Sequence, residues 1–233
     1  MNALQLETAP PQEILRWMYA NHERPVIVSS FQAESAVLID LACRVTESPE
    51  VITLDTGRLP EDTYVAMELF RERYPIRLRV VAPDSGDVEA MTQRHGPNLF
   101  RRSVVLRHEC CATRKVRPLA RALEGHDAWA TGVRREQTSA RAATPVIAED
   151  ADHGSITKVA PLASWSTEQV WEYVEAHDLP RHPLYARGYT SIGCAPCTRA
   201  TAPGEDARAG RWWWERGAAK ECGLHTIALE AVS

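Results

Sequence analysis

The chemistry in this chain begins with its six cysteines. Cys194 and Cys197 form a Cys-x-x-Cys pair behind a glycine, in Tyr189-Thr-Ser-Ile-Gly-Cys-Ala-Pro-Cys197. Cys110 and Cys111 are adjacent, far upstream. Four thiolates in two pairs can close one metal site, either zinc or an iron–sulfur cluster. Neighbouring side chains diverge on a helix, and zinc sites normally space their paired ligands as Cys-x-x-Cys. Adjacent thiols therefore favour a bulkier cluster, whose separate metal atoms can each take one. Cys43 sits in an apolar helical run and reads as a small buried hydrophobe. Cys222 stands apart, in Lys220-Glu-Cys-Gly-Leu-His225. Cations beside a thiol raise its thiolate fraction, as nucleophilic catalysis requires; the plainer alternative is a stray surface thiol.

The second set is cationic. Lys115, Arg114, Arg141, Arg208 and Arg211 read by default as solvated surface charge. Several fall in loops expected at one rim of a sheet, where convergent arginines bind phosphate or sulfate in bidentate fashion. Trp212, Trp213 and Trp214 read as packing that docks the irregular segment around residues 180–210 and sets Arg208 and Arg211. His22, His126 and His177 read as ordinary surface or helix-end residues.

The elements that must position these groups alternate. Helical patterns cover residues 11–21, 36–44, 61–73 and 110–123, and Ser166 caps a helix containing Val170, Trp171, Tyr173 and Val174. Apolar β-branched runs at 25–30, 51–54, 78–82, 127–131 and 156–161 read as strands. Such alternation implies a mostly parallel sheet with helices on both faces, ligands binding beyond the C-terminal strand ends. The turn from residue 29 to residue 35, between strand and helix, is a natural anion site. Residues 133–141 read as a polar loop.

Composition sets the bounds. The chain has 233 residues, 44% hydrophobic and 25% charged, enough for one substantial core, and a net charge of −4 argues against a general nucleic-acid binder. No segment approaches the roughly 20 apolar residues of a membrane span, and no leader is evident, so a cytoplasmic protein is expected. The expected layout is a single domain over residues 1–233, with a nucleotide-binding core over about 25–210 and a mobile C-terminal tail over about 211–233 carrying Cys222. The sequence leaves the oligomeric state open, a homo-oligomer included.

Taken together, Ser29-Ser-Phe-Gln-Ala-Glu34, Leu54-Asp-Thr-Gly-Arg58, Cys110-Cys-Ala-Thr-Arg-Lys115, Thr131-Gly-Val-Arg134, the Cys194–Cys197 stretch, Gly210-Arg-Trp-Trp-Trp-Glu215 and Lys220-Glu-Cys-Gly-Leu-His225 closely resemble the assimilatory adenylyl-sulfate (APS) reductases. These belong to the phosphoadenylyl-sulfate (PAPS) reductase family within the adenine nucleotide α-hydrolase fold. The resemblance implies reduction of APS to sulfite and AMP. Cys222 would be the nucleophile that becomes S-sulfocysteine, and thioredoxin, a separate protein, the reductant. It implies a [4Fe-4S] cluster on Cys110, Cys111, Cys194 and Cys197. It also implies phosphosulfate contacts from Lys115, Arg141, Arg208 and Arg211, a phosphate loop at Ser29, Ser30 and Phe31, and an adenosine pocket at Leu54 and Gly132. The alternatives are a PAPS reductase and, on the same fold, an ATP-dependent adenylating or tRNA-thiolating enzyme. The latter lacks support because the Ser-Gly-Gly-x-Asp-Ser loop is missing.

Overall fold

In the computed structural model, residues 3–215 and 220–224 are described. His225, named beside Cys222, and most of the expected tail lie outside them. The chain runs α1 (Ala3–Glu7), α2 (Pro11–Asn21), β1 (Pro25–Val28), α3 (Ala33–Cys43), β2 (Glu50–Leu54), α4 (Glu61–Arg73) and β3 (Arg77–Val81). It continues through α5 (Ser85–His95), α6 (Val104–Cys111), α7 (Arg117–Leu123), β4 (Ala128–Ala130), β5 (Ile147–Asp150), β6 (Ile156–Val159) and α8 (Thr167–Ala176). No helix among the described residues is long and apolar enough to cross a membrane.

The six strands form one sheet in the order β3-β2-β1-β4-β6-β5. All neighbours pair in parallel except β5 with β6. The chain lays β2 and β3 to one side of β1 and then crosses to β4 on the other. The switch point therefore falls between β1 and β4, where α/β sheets of this kind open a crevice for ligands.

Two apolar layers sandwich the sheet. On one face α2, α3, α4 and α8 pack around Leu15, Leu38, Phe70 and Val170. The helix α3 is apolar almost all round, and Ala33 and residues 35–42 are all buried beneath its neighbours, as such a composition requires. On the other face α7 sets Leu119, Ala122 and Leu123 against Val26, Ile52 and Trp129. A satellite cluster away from the sheet joins Phe100, Trp212 and the thiols of Cys110, Cys111 and Cys197, with Cys194 and Cys222 packed on it.

Four features depart from the sequence reading. The helix expected over 110–123 is two helices joined by a π-helical turn over Ala112–Val116, in which the Arg117 N–H bonds the Ala112 carbonyl. The helix after the phosphate loop starts at Ala33, three residues before the expected 36. The loop over 133–141 folds into two 3-10 turns, Arg135–Gln137 and Ser139–Arg141. The edge strand β5 and the polar helix α5 were not expected at all.

Candidate active site

A cavity of about 680 Å³ opens at the switch point. Its floor is the C-terminal ends of β1, β2 and β4: Ser29 and Ser30, Leu54, and Thr131 with Gly132. Gly132 is required by crowding, since a Cβ there would stand 2.8 Å from the Glu34 Cβ. Lys115, Arg141, Arg208, Arg211, Cys222 and Leu224 complete the rim. The structure thus gathers residues separated by nearly two hundred positions, among them every substrate-binding candidate of the sequence but one.

The exception is Phe31. Its side chain is fully buried and packs on Phe70, with ring centroids 5.2 Å apart, so only its backbone is at the loop. It takes a left-handed φ of 56°, a conformation that costs a non-glycine residue of order 1 kcal/mol and is held by that anchor. Loop donors are already partly engaged. Ser30 N–H donates to Ser35 Oγ (3.1 Å), Phe31 N–H to Ser29 Oγ (3.0 Å), and Ala33 N–H to the Tyr185 hydroxyl oxygen (2.9 Å). Tyr185, in a segment without periodicity, gave no sequence signal.

The cations are not surface charges. Arg141 and Arg208 side chains are only 10% and 13% exposed. Arg211 lies over the Trp212 ring at 4.6 Å, and the buried Arg107 lies over the same ring at 4.5 Å. The Arg211 guanidinium also rests against the backbone at Gly193, where a Cβ would come within 2.4 Å of Nη2. The glycine behind Cys194 is therefore a seat for Arg211. The Nε atoms of Arg208 and Arg211 are buried without a hydrogen-bond partner. Burial, with the repulsion of Arg211, pulls Arg208 down to about 10. Buried cations that repel one another, with donors unspent, make a site that an anion would stabilise.

Cys222 is half-buried at this rim. Burial pushes its thiol up, but the Lys115 ammonium, the Leu224 N–H and Arg211 together bring it below its ordinary value. This favours the thiolate. Burial opposes the charge on Lys115, yet Cys194 and Cys222 outweigh it and hold its pKa above normal.

Behind Lys115, Cys110, Cys111, Cys194 and Cys197 border one small cavity of about 20 Å³, closed by Phe100, Pro196 and Trp212. The π-helical turn carries the chain from Cys111 to Lys115, and such turns concentrate at functional sites. The Cys194 side is tied down by Thr56 Oγ1, 3.2 Å from its sulfur, and by the Ala195 N–H donating to Arg58 O. Burial raises Cys111 and Cys197 to about 12. Among the described residues, no group of three or more His, Cys, Asp or Glu side chains is disposed to hold a metal ion.

Comparison with known proteins gives a consistent assignment. The profile of the phosphoadenosine phosphosulfate reductase domain matches residues 24–200. The chain is 42% identical to the adenosine 5'-phosphosulfate reductase of Allochromatium vinosum over 96% of this chain and 89% of that protein. It is 46% identical to that of Sinorhizobium fredii, over 90% of this chain and 82% of that one. Among structures, the phosphoadenylyl-sulfate reductase of Candida auris in its phosphate complex superposes with a TM-score of 0.68 at 27% identity, covering 84% of this chain and 94% of that one. Yeast FAD synthetase, at 15% identity and TM-score 0.60, shares the fold over 85% of this chain and 66% of its own. With the parallel sheet, the switch-point cavity and the profile match agreeing, the chain belongs to the phosphoadenosine phosphosulfate reductase family.

Proposed function

We propose that this enzyme reduces adenosine 5'-phosphosulfate to sulfite and AMP, with thioredoxin as reductant. The observation that carries the reading is the meeting of one thiol, Cys222, with Lys115, Arg141, Arg208 and Arg211 on the rim of a nucleotide-sized cavity. The adenosine would lie over Leu54 and Gly132 and the phosphosulfate against the cations. The Cys222 thiolate attacks the sulfur, and the bond from sulfur to the bridging phosphate oxygen breaks. AMP departs with that electron pair, leaving S-sulfocysteine. Lys115 and the arginines stabilise the charge that develops on the leaving phosphate. A thioredoxin thiolate then attacks the Cys222 sulfur, and sulfite leaves with its electron pair. The second thioredoxin thiol resolves the mixed disulfide and restores Cys222.

Of the other five thiols, Cys110, Cys111, Cys194 and Cys197 fit a [4Fe-4S] cluster. All four border one cavity, and burial raises Cys110, Cys111 and Cys197, thiols that a bound metal would deprotonate. When bound, the cluster would brace the irregular segment and add to the electrostatics around Lys115. The names of the relatives favour APS over its 3'-phosphorylated counterpart. The test is mass spectrometry of the anaerobically purified protein with APS and no reductant. A sulfonate should map to Cys222 and vanish as sulfite on adding reduced thioredoxin; an adduct on Cys43, or substantial turnover by Cys222→Ser, would overturn the assignment.

A further inference from the structure

The segment that delivers Cys222 also delivers a carboxylate. Arg141 donates to Glu221 twice, Nε to Oε1 at 3.0 Å and Nη2 to Oε2 at 2.7 Å. Thr138 Oγ1 donates to Oε1 at 3.2 Å, and Arg208 Nη2 lies 3.5 Å from Oε2. This is the forked geometry in which a guanidinium holds a phosphate or sulfate. The backbone follows the same pattern, with Arg208 Nη2 donating to the Lys220 carbonyl. Burial raises the Glu221 carboxyl, but Arg141 and Arg208 outweigh it and keep it ionised below the usual carboxylate range.

Arg141 and Arg208 are two of the four cations assigned above to the phosphosulfate. They are three-quarters or more buried and close to a third cation, Arg211, so leaving them unpaired is costly. Glu221 meets that need. We propose that Glu221 is a resident surrogate for the substrate's anion: its carboxylate occupies the oxyanion subsite formed by Arg141, Arg208 and Thr138, and APS binds by displacing it. The inference rests on the reading of the cavity as the APS site. Two consequences follow. Binding is an exchange, so apparent affinity is lowered by the strength of the Glu221 contacts. Displacing Glu221 also releases the neighbouring residue, Cys222, from its anchor on Arg141 and Arg208, which ties arrival of the sulfuryl group to repositioning of the nucleophile.

The test uses the cluster-loaded protein with Cys222→Ser, which binds APS without turning it over, and compares it by equilibrium dialysis with the same protein carrying Glu221→Gln. Removing the competing charge should tighten APS binding by about tenfold, the worth of a charge-assisted hydrogen-bonded pair given up in the exchange. A residue that merely builds the site would move the constant the other way. Glu221→Ala should shift it in the same direction as Gln, which separates loss of the charge from a new amide contact. If the Cys222→Ser protein binds no APS, the reading of the cavity falls and the inference with it. If it binds APS and neither Glu221 variant binds more tightly, that reading stands and the assignment of Glu221 is overturned.

Discussion

Replacing Arg107 by methionine should loosen the whole segment that presents Arg211 and Cys222. The Arg107 side chain is 0% exposed and its partner Glu215 is 4% exposed. Nε and Nη2 each donate to a Glu215 carboxylate oxygen at 3.0 Å, and Nη1 donates to the Glu221 carbonyl. The guanidinium also covers one face of Trp212. Methionine fills much of the space but leaves the Glu215 carboxylate buried and unpaired, a loss of about 3–5 kcal/mol. In a domain of this size that corresponds to a melting temperature lower by roughly 10 °C. Scanning calorimetry on Arg107→Met, Glu215→Leu and the double variant would measure it. The double variant removes both charges and should recover most of the loss, because a buried pair replaced by apolar groups of similar volume is close to neutral. A single-variant shift of only a degree or two, or a double variant no better than Arg107→Met, would refute the claim that this pair fastens α6 to Trp212, Glu215 and Glu221.

Other outcomes can be checked directly. Anaerobically prepared protein should carry about four irons and four labile sulfides per chain, and Cys194→Ser or Cys197→Ser should lose them; stoichiometric zinc without iron would contradict this. APS should be turned over far better than PAPS, and equal specificity constants would remove the substrate assignment while leaving the reaction class. His182 is 1% exposed, bonded to Thr63 Oγ1 at 3.0 Å, and burial lowers it to about 4. A histidine held neutral in the fold contributes stability that is fully present above its unfolded value near 6.5. That contribution is lost as pH falls from about 6.5 through 4, in total about 3 kcal/mol. Urea unfolding should show this slope in the wild type and a flatter one in His182→Gln; parallel curves would exclude His182 as its source.

Much of the frame was legible because its signals are local. Pro11 at the start of α2 and Ser166 as the cap of α8 mark boundaries by chain stereochemistry, and the structure keeps both. The central strands β1, β2 and β4 read clearly because burial on both faces demands apolar runs. What was missed depends on partners distant in sequence. The edge strand β5 ends in Glu149 and Asp150, and Asp150 is buried only because Trp129 and His153 bond it. Helix α5 buries Met91 alone and so shows no periodicity. The site was legible in its residue types, the thiols and the arginines, but not in its supports. Arg107, Glu215 and Glu221 look like solvated charges until the fold shows what each one faces.

The π-helical turn between α6 and α7 sets a limit on how this protein can change in length. One residue subtends about 100° of an α-helix, and the wider turn absorbs one residue more than a regular one. Upstream of it, Arg107, Cys110 and Cys111 face the satellite cluster, while downstream Leu119, Ala122 and Leu123 face the sheet. Deleting a single residue within 112–116 would close the wide turn to a regular one and keep both faces on target, whereas adding one would swing a face about a quarter turn off. Surface loops such as that around Gly154, where an added Cβ would meet nothing within 4 Å, can gain or lose residues with little effect. Within the stretch from Cys110 to Leu123, length variants selected for cluster content and folding together should therefore be single deletions inside 112–116 and never insertions.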